Sequence, residues 1–170
     1  MADEQTNPAT QRQLVLQKIY VKDLSFESPK APAIFTTNVA PQTQINIRSS
    51  TQEIAPNTQE VTLTLTLEAK DKDTTLFLVE VVQSGIFFMQ GYTPEERSVL
   101  VGSFCPATLY PYAREAVSDV VAKGGFPQLL LQPINFDALY AQAMQERSAR
   151  SSAAAPGGAA ASTAAGGETH

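Results

Sequence analysis

Cysteine and histidine, which carry much of the chemistry of enzyme active sites, each occur only once in this 170-residue chain. The single cysteine, Cys105, excludes a disulfide within the chain and favours a reducing compartment. It lies between Phe104 and Pro106 with no histidine nearby, so we expect a buried apolar thiol and not a nucleophile. The single histidine, His170, is the last residue. The sequence therefore predicts that the protein is not an enzyme.

Further absences limit the ligands and the location. No group of His, Cys or carboxylate residues has the spacing of a metal site, and no glycine-rich loop matches a phosphate-binding pattern, so we expect no cofactor. No apolar run approaches the roughly 18 residues that span a bilayer, and Met1–Gln13 lacks the apolar core of a secretory signal. A cytoplasmic protein without direct membrane insertion is expected.

The residues that are present fit a folded acidic domain. Hydrophobic residues make up 43% of the chain, and the net charge of −5 disfavours nucleic acid as a partner. The length suits one domain of roughly 100–200 residues. We expect a flexible N-terminus at 1–13, the domain at 14–147, and a disordered tail rich in Ala, Gly and Ser at 148–170.

Alternating apolar residues predict four antiparallel strands. They are expected at Leu14–Phe26, around Ile45 and Ile47, at Val61–Ala69 and at Thr75–Gln83. The apolar residues of the first strand change parity near Asp23, which predicts a bulge. A long crossover, Pro29–Pro41, precedes the second strand, and Asp71–Asp73 is expected to form a turn. The apolar group Gly85–Met89 after the fourth strand is either core or a binding groove, and its composition favours core.

Two main helices follow the strands. Thr93 and Glu96 have the spacing of a capping box, so a helix should start there and be interrupted or kinked by Pro106 and Pro111. Asn135 can cap a last helix. The expected fold is α+β, with two main helices packed on one face of a four-stranded antiparallel sheet.

The fourth strand is apolar on both sides, with Phe77 and Val79 on one parity and Leu78 and Val82 on the other. Helices on one face of the sheet would leave the second apolar side uncovered. We therefore expect an oligomer.

Three stretches resemble the SecB family of bacterial protein-export chaperones. They are IYVKDLSFESP from Ile19, GSFCPATLYPYARE from Gly102 and GGFPQLLLQPINFDALY from Gly124. The resemblance extends from about Val15 to Met144. It implies a homotetramer, built as a dimer of dimers, that binds unfolded preproteins in hydrophobic grooves without ATP and delivers them to the SecA ATPase.

The same resemblance implies two sets of site residues. The set that docks the zinc-containing C-terminal segment of SecA is Asp23, Glu27, Leu78 and Glu80. The set that lines the client groove is Phe35, Ile45, Ile47, Phe136, Leu139 and Tyr140. Val39 stands where familiar members often carry tryptophan, so the groove near Phe35 departs from the family pattern.

Two alternatives to general export stay open at this point. One is a dedicated SecB-like chaperone for a single client such as an antitoxin, which only the range of clients separates from the leading hypothesis. The other is an enzyme that uses Cys105 as nucleophile, and blocking the thiol would test it.

Overall fold

The computed structural model describes residues 11–153, in which the alternating segments form a sheet and the capped segments form helices. The strands are β1 (Gln13–Glu27), β2 (Gln42–Ala55), β3 (Thr58–Asp71) and β4 (Thr74–Gln90). The α-helices are α1 (Pro94–Val99), α2 (Cys105–Lys123) and α3 (Phe136–Ala153); a π-helical segment (Leu100–Phe104) joins α1 to α2, and a 3-10 turn (Ala33–Phe35) lies in the crossover. The predicted α+β fold with a four-stranded antiparallel sheet is confirmed.

Strand β4 lies inside the sheet, whose order is β1-β4-β3-β2. Its residues on the helix side, including Val79, Val81 and Phe87, are completely buried. Those on the other side, including Leu78 and Val82, are half-buried. We call this second side, which no described helix covers, the open face. The apolar side chains on the open face of β4 are only half-buried in the single chain, so the contact with another subunit that they predict stays a prediction.

β4 is longer than the sequence predicted, because Gly85–Met89 continues the strand instead of following it. Phe87 and Met89 are fully buried, which confirms core for these two side chains. Gly85 lies beyond the predicted end of the strand, and a Cβ there would lie 2.8 Å from Leu109 Cδ2. The glycine lets α2 approach the sheet closely, which is a recognised use of glycine within a strand.

Strand β1 carries the predicted irregularity. Its pairing with β4 shifts register between Val21 and Asp23, so Lys22 has no partner on β4. A second shift lies between Leu16 and Lys18. Each bulge changes which residues face the helices, and this explains the change of apolar parity along β1.

A capping box starts the helical region, as predicted. The Glu96 backbone N–H donates to Thr93 Oγ1 at 3.2 Å, and the Thr93 N–H donates to Glu96 Oε2 at 2.9 Å. Near Pro106, where an interruption or a kink was expected, the π-helical segment separates α1 from α2, and the chain stays helical to Lys123. The wider π turn accommodates a proline that has no N–H to donate. Pro111 lies within α2.

Helix α2 forms the centre of the core. Leu109, Ala113, Val117 and Val121 repeat at steps of four residues and are completely buried against β3 and β4. Helix α3 lies beside α2 and makes its main contacts with the π-helical segment. It continues to Ala153, so residues 148–153, which composition assigned to the tail, are helical.

Candidate client groove and acidic open face

A cavity lies between β2, the π-helical segment and α3. Its volume is about 520 Å³. Apolar side chains from all three elements line it, together with serines and threonines of β2. The apolar lining consists of Ile47, Val101, Phe136, Leu139, Tyr140, Ala143 and Met144. We call this cavity the groove; its composition suits apolar side chains without demanding a particular sequence.

Close packing between α3 and the π-helical segment forms one wall of the groove. A Cβ on Gly102 would lie 2.2 Å from Tyr140 Cδ2, so only glycine permits the tyrosine ring to lie where it does. The Tyr140 hydroxyl is 2.9 Å from Ser98 Oγ, and Ser103 Oγ donates to Asp137 Oδ1. These contacts hold α3 opposite β2.

The start of α3 is set by the predicted cap. The Ala138 N–H donates to Asn135 Oδ1 at 3.0 Å. This cap places Phe136 in the first turn, where it is 6% exposed and packs edge-on against Tyr110. Leu139 follows at 45% exposed. Phe136 thus anchors α3, whereas Leu139 stays available to a ligand.

Four of the six predicted groove residues line this cavity: Ile47, Phe136, Leu139 and Tyr140. Ile45 borders a separate cavity of about 350 Å³ together with Leu78. Phe35 is half exposed and packs against Phe126 with the two rings tilted and their centroids 5.3 Å apart. The structure therefore divides the predicted set among three places.

Phe35 belongs to an aromatic cluster. Phe126 lies 4.6 Å from Phe77 between ring centroids, and Phe77 lies 5.9 Å from Phe26. A Cβ on Gly124 would lie 2.1 Å from Phe26 Cζ, so this glycine allows the cluster to close against the end of α2. The cluster fixes the crossover to the helical layer.

The four residues of the predicted SecA-docking set lie on the open face of two adjacent strands. Glu27 pairs with Leu78, and Asp23 lies four residues from Glu27 along β1. Glu80 pairs with Ser25 and accepts a hydrogen bond from Thr66 Oγ1 at 3.1 Å. We call Asp23, Glu27 and Glu80 the acidic group. None of the three forms an ion pair with another described residue.

The described chain offers little for acid–base or metal chemistry. Burial raises the pKa of the Cys105 thiol to about 12, so it stays protonated near neutral pH. Within residues 11–153, no three His, Cys, Asp or Glu side chains converge to hold a metal ion. His170 lies outside the described residues. Of the helices at residues 94–153, none is both long and apolar enough to cross a membrane.

Comparison with known proteins identifies the family of this chain. A family model described as "Preprotein translocase subunit SecB" matches residues 7–147. The chain belongs to the SecB family. The Protein-export protein SecB of Nitrosococcus oceani is 51% identical over 156 residues, covering 88% of this chain and 95% of that protein. That of Methylococcus capsulatus is 49% identical over 145 residues, covering 85% and 92%.

A solved structure supports the fold of this SecB-family chain. A Mycobacterium tuberculosis SecB-like chaperone in complex with a ChAD peptide from the HigA1 antitoxin superposes with a TM-score of 0.60 at 17% identity. The match covers 71% of this chain and 90% of that one. The export relatives are much closer in sequence, so the chain is a protein-export chaperone and not an enzyme, as its residues predicted.

Sequence reasoning missed part of the groove. Gly102 and Val101 line it from the π-helical segment, and Ser98 holds Tyr140. Gly102 is the first residue of one of the recognised stretches, and a glycine inside a helical pattern is a signal of close packing. Glu68 on the open face was also missed, although the alternation of β3 puts it on the same side as Thr66.

Proposed function

We propose that this SecB-family protein binds unfolded preproteins along the groove, without ATP, and keeps them able to cross a membrane. The supporting observation is the apolar lining between β2 and α3, which includes half-buried Ile47 and exposed Leu139. Burying a large apolar side chain contributes roughly 1.5–3 kcal/mol, and apolar burial is non-directional. Several shallow contacts can therefore retain an extended chain of almost any sequence that exposes apolar residues.

We infer that the open face docks the zinc-containing C-terminal segment of SecA. The acidic group is free of intramolecular ion pairs among the described residues, so its charge can attract a basic partner. Leu78 lies between Glu27 and Glu68 in the sheet and offers an apolar contact among the carboxylates. Client and SecA would then occupy opposite sides of the sheet, so a client need not leave before SecA binds.

We also propose that the protein works in the cytoplasm as a homotetramer, a dimer of dimers. Edge strand β1 and helix α2 carry large apolar side chains that are 39–53% exposed in the single chain: Leu16, Val21, Leu24 and Tyr112. Such a surface favours contact with other copies. Light scattering of the purified protein should give four times the mass of the chain, and a strict monomer would contradict the assembly.

Two matched substitutions test the surfaces separately. Leu139→Ser should weaken the binding of an unfolded preprotein and leave SecA docking near its wild-type value. Glu80→Lys should weaken docking of the SecA segment about tenfold at low salt, because charge reversal places repulsion at the contact, and should leave client binding unchanged. Glu95→Lys makes the same change of charge at an exposed position of α1, outside the open face, and serves as the control.

Calorimetry with an unfolded preprotein, its folded form and the zinc-loaded SecA segment measures these effects. If the wild-type protein bound the unfolded preprotein no better than the folded one, the chaperone mechanism would be wrong. Loss of both activities in both variants would contradict the division into two surfaces.

A further inference from the structure

One lysine lies directly beside the acidic group. Lys22 is the bulge residue of β1 and precedes Asp23 in the chain. Its ammonium lies 2.9 Å from Glu60 Oε1 and 3.0 Å from Glu60 Oε2. Glu60 is on β3, so the contact passes over β4 on the open face. Because Lys22 has no partner in the β1–β4 ladder, the bulge is what turns it toward this carboxylate.

Glu60 is built into the sheet more firmly than an ordinary surface acid. It is 8% exposed and accepts a second hydrogen bond from the Tyr20 hydroxyl. The bond from Tyr20 and then the bonds from Lys22 hold the pKa of Glu60 below its usual value, so the carboxylate is charged near neutral pH. The ammonium is therefore bound to a fixed anion, while its own side chain stays half exposed.

A second lysine of the open face also contacts a carboxylate of β3. Lys70 Nζ lies 3.0 Å from Glu68 Oε1. In both pairs the carboxylate lies on β3, outside the acidic group. Asp23, Glu27 and Glu80 have no such cation among the described residues. In each pair, a carboxylate of β3 thus holds the lysine ammonium.

We propose that Glu60 is a positioning residue for the open face: by holding the Lys22 ammonium, it prevents that cation from neutralising the acidic group. The inference rests on the proposed docking of SecA. Lysine is a point charge on a flexible four-carbon stem, so an unbound Lys22 would be free to pair with neighbouring Asp23. It would then compete with the basic groups of the docking partner.

Three variants test this role by calorimetric titration with the zinc-loaded C-terminal segment of SecA. Glu60→Gln should weaken docking about threefold to fivefold at low salt, the range expected for one exposed ion pair. Lys22→Gln should dock as tightly as wild type or more tightly, because it removes the competing cation. The double variant should recover the wild-type affinity, and the loss in Glu60→Gln should shrink at high salt, where exposed charges are screened.

A purely structural role for Glu60 gives a different pattern. The double variant would then dock as weakly as Glu60→Gln, since removing Lys22 cannot repair a distorted sheet. The positioning role makes a further prediction for Tyr20→Phe. This variant removes the other hydrogen bond to Glu60 and leaves the Lys22 contact, so docking should stay at the wild-type level. Binding of an unfolded preprotein reports on the fold of each variant.

Several outcomes would overturn the inference. They are wild-type affinity in folded Glu60→Gln, failure of the double variant to recover, and weakened docking by Lys22→Gln. If Glu60→Gln does not fold, weakened docking by Lys22→Gln is enough to refute the inference. Absence of docking by the wild-type protein is a separate result, because it would refute the proposed SecA contact itself.

Discussion

Replacing Gly102 by alanine should loosen α3 from the domain. The new Cβ would lie 2.2 Å from Tyr140 Cδ2 and 2.4 Å from Cε2, whereas carbon atoms in contact are about 3.5–4.0 Å apart. The tyrosine ring must therefore move by more than an ångström, which breaks its hydrogen bond with Ser98. Overpacking costs about 1–3 kcal/mol and the lost hydrogen bond about 1 kcal/mol, so we expect a total of about 2–4 kcal/mol.

The cost should fall on α3 and not on the whole domain, because α3 makes its main contacts with the π-helical segment. Hydrogen exchange should become faster in the amides of α3 and stay slow in β3, β4 and the buried turns of α2. Because Leu139 and Tyr140 line the groove, the affinity for an unfolded preprotein should fall in the same variant.

In a second background, the effect of Gly102→Ala on stability should change sign. In a Tyr140→Ala background the clash is gone, and alanine is a better helix former than glycine by up to about 1 kcal/mol. Gly102→Ala should then stabilise the π-helical segment that contains residue 102, and it should no longer loosen α3. If Gly102→Ala left exchange in α3 unchanged, or destabilised both backgrounds equally, the account of this contact would be refuted.

Three further predictions concern the core. Leu109→Ala should lower the free energy of unfolding by about 2–5 kcal/mol in urea titration, because Leu109 is completely buried; a loss under 1 kcal/mol would contradict the packing. The pKa of the buried Cys105 thiol is raised, so the folded state favours the protonated form. The contribution of this thiol to the free energy of unfolding is fully present below the ordinary thiol pKa and is lost as the pH rises toward about 12. Cys105→Ala should therefore lose stability less steeply above pH 9 than wild type, as measured by alkaline thermal melts; parallel pH profiles would count against thiol burial. Gly124→Ala should lower the Tm, because the new Cβ clashes with Phe26 in the aromatic cluster. Adding Phe26→Leu should partly restore the Tm of this variant. A further decrease of the Tm in the double variant would contradict the clash.

Local patterns predicted most of the fold because they act over a few residues. The alternation in Val61–Ala69, the parity change near Asp23 and the capping box at Thr93 each depend only on neighbouring residues. For the same reason, the fourth strand was expected to end before Gly85, and the helix to be interrupted or kinked at Pro106. Their actual roles depend on Leu109 and on the π turn, which are contacts and geometries that local pattern does not contain.

The candidate site was less accessible to sequence reasoning. Ile47 and Leu139 share a groove because α3 lies opposite β2, and that placement depends on Tyr140 packing on Gly102. The resemblance supplied residues one by one but not their grouping, and the structure places Phe35 in the aromatic cluster, apart from Ile47 and Leu139. The roles of these residues in binding stay predictions until the variants are measured.

The strand order determines when this protein can complete its own sheet. Strands β2, β3 and β4 follow one another through short turns, whereas Gln13 at the start of β1 pairs with Gln90 at the end of β4. The first strand to leave the ribosome must therefore wait until the last has been synthesised. Contacts so distant along the chain close slowly, and pulse-labelled amide exchange during refolding should find β1 protected after the β3–β4 hairpin. This protein-export chaperone therefore carries an unpaired strand of its own until β4 has been made.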